Sequence, residues 1–302
     1  MANVGPKTAD NYLTAAKYLS FAAVGVAALT PAHASAAVDI SHRIRIAGDL
    51  RTFTQRMALS VAFVMLDVDR GHFLEVLNKE YNEFNADIEA LRTGDPKYNM
   101  KAEENKLVLE AINTVEFGWK VLGPLLKDVI DAGAVDDAHF TKIEKTNTQV
   151  MTLTDNLIHR IMKEYKADIP LGLGYQIDVA GSQQMLSQKM IKEAVLIALE
   201  FEAEAHHEML LGSMQLFEFG FDKLGGKMAH NEVLLPEPGG EIAKQLGHAA
   251  DFWGKAKPIL QKLDETHHAD HADLIELAKE SDILMEDFGA ITDLLIRSLE
   301  AV

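Results

Sequence analysis

Apolar residues along this chain recur every three or four positions, the spacing of amphipathic helix, between breaks at Gly, Pro and Asp clusters. The pattern predicts helices over about 39–69, 72–92, 99–131 and 136–165, with a strong stop at Thr93-Gly94-Asp95-Pro96 and another at Gly133. Residues 167–174 read A-D-I-P-L-G-L-G, a linker. The plan then repeats over about 175–203, 206–224, 241–265 and 270–300, with a longer loop at 225–240 that holds Pro236, Pro238, Gly239 and Gly240. Pro124 and Pro258 fall inside the third helix of each set, where the missing N–H predicts a kink. No segment shows the β-branched alternation of a strand. The expected fold class is all-α, two tandem antiparallel four-helix bundles joined end to end.

The first helix of each set has two apolar faces. Ile46, Leu50, Phe53, Met57, Val61, Val64 and Val68 form a wide stripe suited to a bundle core. About 100° further round runs a stripe of smaller residues, Ile44, Ala47, Gly48, Arg51, Thr54, Ala58 and Ala62. In the second set that stripe is Ile177, Ala180, Gly181, Gln184, Ser187, Ile191 and Val195. A helix apolar on two sides is predicted to be buried on two sides, against its own bundle and against another first helix.

The chain also repeats itself residue by residue. Residues 44–60 echo 177–193 at a constant offset of 133, with Ala47-Gly48 on Ala180-Gly181 and Gln55-Arg56-Met57 on Gln188-Lys189-Met190. Phe84 then falls on Phe217, Leu91 on Leu224, Trp119 on Trp253, Pro124 on Pro258 and Met151 on Met285, with one residue of slippage. A solenoid repeats every 20–50 residues, so this period marks a duplicated domain, at 37–166 and again at 175–302.

The A-G-x-x-x-x-x-x-Q-[RK]-M string on a first helix resembles the PilJ-type N-terminal domain of type IV pilus methyl-accepting chemotaxis transducers. That domain is similar to the periplasmic domain of NarX-type nitrate/nitrite sensors. The resemblance implies an exported, non-enzymatic sensory protein that binds a small anion such as nitrate or nitrite where two first helices meet. In the nitrate sensors an arginine of a G-S-L-R-M string binds the ligand. Gly48-Asp49-Leu50-Arg51-Thr52 puts Arg51 at that place, and Gly181-Ser182-Gln183-Gln184-Met185 puts Gln184 there. The ligand-binding set so implied is Arg51 for charge, Gln184 for a hydrogen bond, and Gly48 with Gly181 for close helix approach. The competing reading of Arg51 is a salt bridge, to Asp49 or to a carboxylate on a neighbouring helix. The alternative function is a structural or interaction module of the envelope or type IV pilus signalling machinery, with no small ligand. A protein partner in envelope signalling and a homodimer are both compatible with the resemblance.

Charge and composition narrow the partners. Among 302 residues, 46 acidic side chains face 29 basic ones, a formal charge of -17. Such a field repels nucleic acid and anionic membranes, so an anion site must be built locally. There is no cysteine, which excludes disulfides and thiol chemistry. Lys7 and Lys17, the apolar run 18–29, Thr30-Pro31 and Ala34-Ser35-Ala36 read as a signal peptide over 1–36, hence a periplasmic protein. The apolar run is short of the ~20 residues of a spanning helix, and no later stretch predicts a membrane span. No Ser-His-Asp order, phosphate loop or zinc motif occurs, so no catalytic residue is predicted. His267, His268 and His271 beside Asp270 and Asp273 lack a second ligand cluster, and neither a metal nor a cofactor is predicted.

Overall fold

The computed structural model describes residues 31–227, 229–230, 233–234 and 238–300. Among them are eight α-helices: α1 Pro31–Met65, α2 Arg70–Thr93, α3 Lys106–Ala132, α4 Asp137–Glu164, α5 Leu171–Ala198, α6 Ala203–Leu224, α7 Gly240–Thr266 and α8 His271–Glu300. A single 3-10 turn, Pro96–Tyr98, precedes α3. Two-residue antiparallel strands, β1 Ala229–His230 and β2 Val233–Leu234, pin the loop before α7. The class is all-α. Most of the signal-peptide segment lies outside the described residues. Its Ala34-Ser35-Ala36 falls in the first turns of α1.

Helix boundaries follow local chemistry. The Asn105 side chain accepts from Leu107 N and Val108 N, which starts α3 at Lys106 instead of near residue 99. Pro170 stands at the N-cap of α5, so the linker ends earlier than expected and Leu171 is already helical. Both first helices end in the same unusual turn. Asp67 and Asp69 after α1, and Glu200 and Glu202 after α5, all adopt positive φ, between 41° and 56°.

Helices α1–α4 pack among themselves, and so do α5–α8. The most extensive helix–helix contact in the molecule, however, joins α1 to α5. Arg51 of α1 reaches Ser182 of α5, and Arg56 reaches Gln188, so the two helices run parallel and nearly in register. The two groups of four therefore lie side by side along their first helices, not end to end. The double apolar face is the reason. Every residue of the wide stripe and of both small stripes named above is buried, so each first helix serves its own core and the seam at once. The tryptophans sit in matching pockets. Trp119 stacks on Phe84 at 4.0 Å and donates its indole N–H to Asn85 Oδ1 at 2.9 Å. Trp253 lies on Phe217 at 4.8 Å and donates to Glu218 Oε1 at 3.4 Å.

Candidate functional site at the paired first helices

Arg51 projects from the small stripe of α1 and is 4% exposed. Its Nη1 donates to Asp155 Oδ1 of α4 at 2.8 Å. Its Nη2 donates to Ser182 Oγ of α5 at 3.0 Å and lies 3.5 Å from Asp178 Oδ1. One guanidinium thus fastens three helices and meets two carboxylates, while its Nε has no hydrogen-bond partner. Asp49 is not among its contacts; it faces Arg45 at 3.6 Å, and Arg45 also bonds Asp293 at 2.9 Å. Gln184 donates instead to Met285 O of α8 at 3.1 Å. Arg51 is committed to α4 and Gln184 to α8, so the pair does not converge on one point in this conformation. The two glycines are not demanded by the seam either. A Cβ at Gly48 would meet nothing within 4 Å, and one at Gly181 would meet Arg51 Nη2 at an ordinary 3.8 Å.

Two clefts flank the seam. The first, of about 750 Å³, opens between α1, α2 and α8, with Gln184 in its wall. Arg56 closes its floor. Nη1 donates to Gln188 Oε1 at 2.9 Å and to Ser281 Oγ at 3.1 Å, Nη2 pairs with Asp282, and Nε lies 3.3 Å from Glu80 Oε1. Gln188 in turn donates to Ser281 O at 2.9 Å. Arg56 is 6% exposed and ties four helices together. Burial pushes the Glu80 carboxyl up to about 7, with Arg56 opposing. Burial also lifts Asp49 to about 6, and it lifts Asp87, beside Asp49 and Glu83, to about 8.

The second cleft, of about 590 Å³, lies between α4, α5 and α6. Lys189 stands there where Arg56 stands in the first, donating to Ser213 Oγ at 2.9 Å and lying 3.1 Å from Glu193 Oε1. Lys192 pairs with Glu144 and lies 3.6 Å from Glu193 Oε1. His206 Nδ1 pairs with Glu193 Oε2. Burial alone would raise Glu193, but Lys192, the His206 hydrogen bond and Lys189 outweigh it and hold the carboxyl at about 2. Sequence reasoning passed over Lys192, Glu193 and Glu144, and weighed His206 only as a metal ligand. The available signal was the repeat itself, which sets Lys192-Glu193 on Leu59-Ser60, charge where the pattern called for core.

These elements coincide with a known domain family. Residues 171–276 match PilJ, the type IV pili methyl-accepting chemotaxis transducer N-terminal domain. The match spans α5, α6, α7 and the start of α8, and so contains Gly181, Gln184, Lys192 and His206. This stretch, about a third of the chain, is therefore similar to a sensory and signalling domain of chemotaxis transducers. No curated protein matches the chain. Among the described residues, no helix is long and apolar enough to cross a membrane, and no group of three or more His, Asp or Glu side chains could hold a metal ion. Asp270 and Asp273 both take Lys262 as partner, at 3.3 Å and 2.6 Å.

Proposed function

We propose that the chain is an exported sensory module of two PilJ-type domains, 37–166 and 175–302, whose paired first helices respond to a small planar anion such as nitrate or nitrite at Arg51. The observation that carries this reading is the position of Arg51 at the junction of α1, α4 and α5, with one of its two carboxylate partners replaceable. The Asp155 side chain is 40% exposed, so an anion can take its place on the guanidinium. The planar fork of arginine suits planar oxyanions and stays charged. Exchanging Asp155 for the ligand removes one tie between α1 and α4 while Ser182 keeps α1 on α5, so binding becomes a shift within the first helix group. A ligand shifts such an equilibrium only through its differential affinity for the two arrangements. Gln184 contributes once its bond to Met285 O opens.

Thermal shift at constant ionic strength tests this, with sodium nitrate, nitrite and acetate against chloride. Nitrate or nitrite should raise Tm; at a hundredfold excess over Kd, binding stabilises by about 2.7 kcal/mol. Arg51→Ala should remove the increment. A parent protein indifferent to all three anions would sink the reading. Export is tested separately by mass spectrometry of the secreted protein, which should begin near Ala37.

The interaction-module reading has an observation of its own. Leu107, Phe117 and Val121 on α3, and Met209, Leu216 and Phe219 on α6, are large apolar residues at least 40% exposed. Isolated exposed apolar residues are ordinary, but sets along one helix suit a protein partner.

A further inference from the structure

The second cleft has a counterpart in the first group of helices that differs in chemistry. The offset of 133 sets Lys192 on Leu59, Glu193 on Ser60 and His206 on Phe73, and the slipped offset of 134 sets Glu144 on Ala278. At the equivalent place in the first group of helices, Phe73 stacks on Phe63 at 4.4 Å, Leu59 is fully buried, and Phe73 and Ala278 line a cleft of about 470 Å³ in place of His206 and Glu144. The fold therefore needs no charge here. In the second cleft four ionisable side chains occupy it, none more than 9% exposed. Removing such groups from water is costly even when they pair, and apolar replacement of a buried ionic cluster is often neutral or stabilising. A cluster that stability does not require points to another use.

The open valences of the cleft say what it would take. Lys189 and Lys192 each already face carboxylates, so neither is a free cation for an anion. The atoms without a hydrogen-bond partner are Gln55 Oε1 from α1, Glu144 Oε2 from α4, His206 Nε2 from α6 and Glu193 Oε1 from α5; the last lies 3.1 Å from the Lys189 ammonium and 3.6 Å from that of Lys192 and is matched by them, which leaves the first three. All three residues are at least nine-tenths buried and line the same cleft. With Nδ1 against Glu193 Oε2, the His206 ring in its neutral form donates from Nδ1 and presents Nε2 as a lone pair. All three open atoms are then acceptors, and one is half of a carboxylate. Phe201, Met151 and Met209 supply apolar lining. The three lysines and three glutamates that line the cleft, exposed Lys145 and Glu202 included, cancel, and the chain's formal charge of -17 draws cations inward.

We propose that the cleft between α4, α5 and α6 binds a small organic molecule through its primary ammonium group, donated to Glu144 Oε2, Gln55 Oε1 and His206 Nε2, with its apolar body against Phe201 and Met209. A free amine and an amino acid share this chemistry. The site stands on residues other than Arg51 and is independent of the anion reading.

Titration calorimetry of the whole chain with isoamylamine, L-leucine and 4-methylpentanoate separates the cases. Binding of isoamylamine marks a free amine and binding of L-leucine an amino acid, and either supports the site. Binding of 4-methylpentanoate alone, or of none of the three, overturns it. Glu144→Gln should weaken the amine-bearing probe at least tenfold, whereas Arg51→Ala should leave it unchanged. The fourfold variant Glu144→Ala, Lys192→Leu, Glu193→Ser and His206→Phe, which installs the equivalent residues of the first group of helices, should keep or raise Tm and abolish binding. Unchanged affinity in that variant would make the cluster structural and end the proposal. Met209→Trp, at the half-exposed mouth, probes the same cleft without touching the buried charges. It should weaken the probe at least tenfold at unchanged Tm, and undiminished affinity would place the ligand elsewhere.

Discussion

Arg51 shows what a single residue can and cannot disclose. One arginine on a stripe of small apolar side chains announces a buried charge that must find partners. The sequence leaves those partners open, because Asp155 and Asp178 lie 104 and 127 positions away on helices whose rotation no local pattern specifies. With both in place, Arg51→Ala should lower stability even without ligand. Breaking a fully buried pair costs about 3–5 kcal/mol; with Asp155 partly in solvent, about 2 kcal/mol is expected from urea unfolding. The anion test therefore reads the nitrate increment and not the absolute Tm. The raised carboxyls make a second prediction. Asp49, Glu80 and Asp87 titrate near 6, 7 and 8 in the folded protein, above the ordinary unfolded values near 4. The native state thus holds the extra protons, and stability is lost as pH rises from about 4 to 8. Glu193, held at about 2, acts in the opposite sense: its contribution is full above about 4.5 and is lost as pH falls toward 2. Tm should accordingly be higher at pH 5.5 than at pH 8.5. Asp87→Asn should recover part of the loss at pH 8.5 and change little at pH 5.5. A flat profile would show that these carboxyls are hydrated.

At the scale of the helix, existence and order were legible throughout, because the 3.6-residue apolar period runs unbroken in every segment. The error at α3 has an identifiable cause. Residues 99–105 have helix-favouring composition, but Arg43, 3% exposed, reaches over from α1. Its Nη1 donates to Leu91 O at 3.2 Å and to Glu103 Oε2 at 3.0 Å, and its Nη2 donates to Lys101 O. A buried guanidinium satisfied by backbone carbonyls holds this stretch as a loop, and propensity yields to it. The turn that admits this loop depends on Gly94. It sits at φ 82°, ψ 168°, a region essentially reserved for glycine, and a Cβ would come within 2.4 Å of Met100 O. Gly94→Ala should cost about 1–3 kcal/mol from conformation alone, more with the clash, as a fall in the urea midpoint. Gly181→Ala, in an open helical position, should instead gain about 0.5–1 kcal/mol. The two glycines look alike in the sequence, and only the turn makes one indispensable.

Across the whole molecule, the informative fact is that α1 and α5 each belong to two cores. A second apolar face predicted burial against another first helix, and the linker of 165–170 between α4 and α5 is short. What the sequence did not settle was whether that helix came from the same chain or from a second one, because residue patterns describe a surface and not the identity of its cover. Within the chain, the seam leaves neither group of helices an independent boundary. The consequence is cooperativity. Ile191 lies on the small stripe of α5 and is 1% exposed; Ile191→Ala opens a cavity costing about 2–5 kcal/mol. Trp253→Phe leaves Trp119, between α2 and α3, as the only tryptophan and hence a reporter of the first four helices. In that background, Trp119 fluorescence and total helicity by circular dichroism should melt at one temperature. Ile191→Ala, though it lies in the other group, should move both transitions down together by the same amount. If half of the helical signal is lost while Trp119 still reports a folded environment, the two groups are separate folding units and the seam between α1 and α5 is only a docking surface.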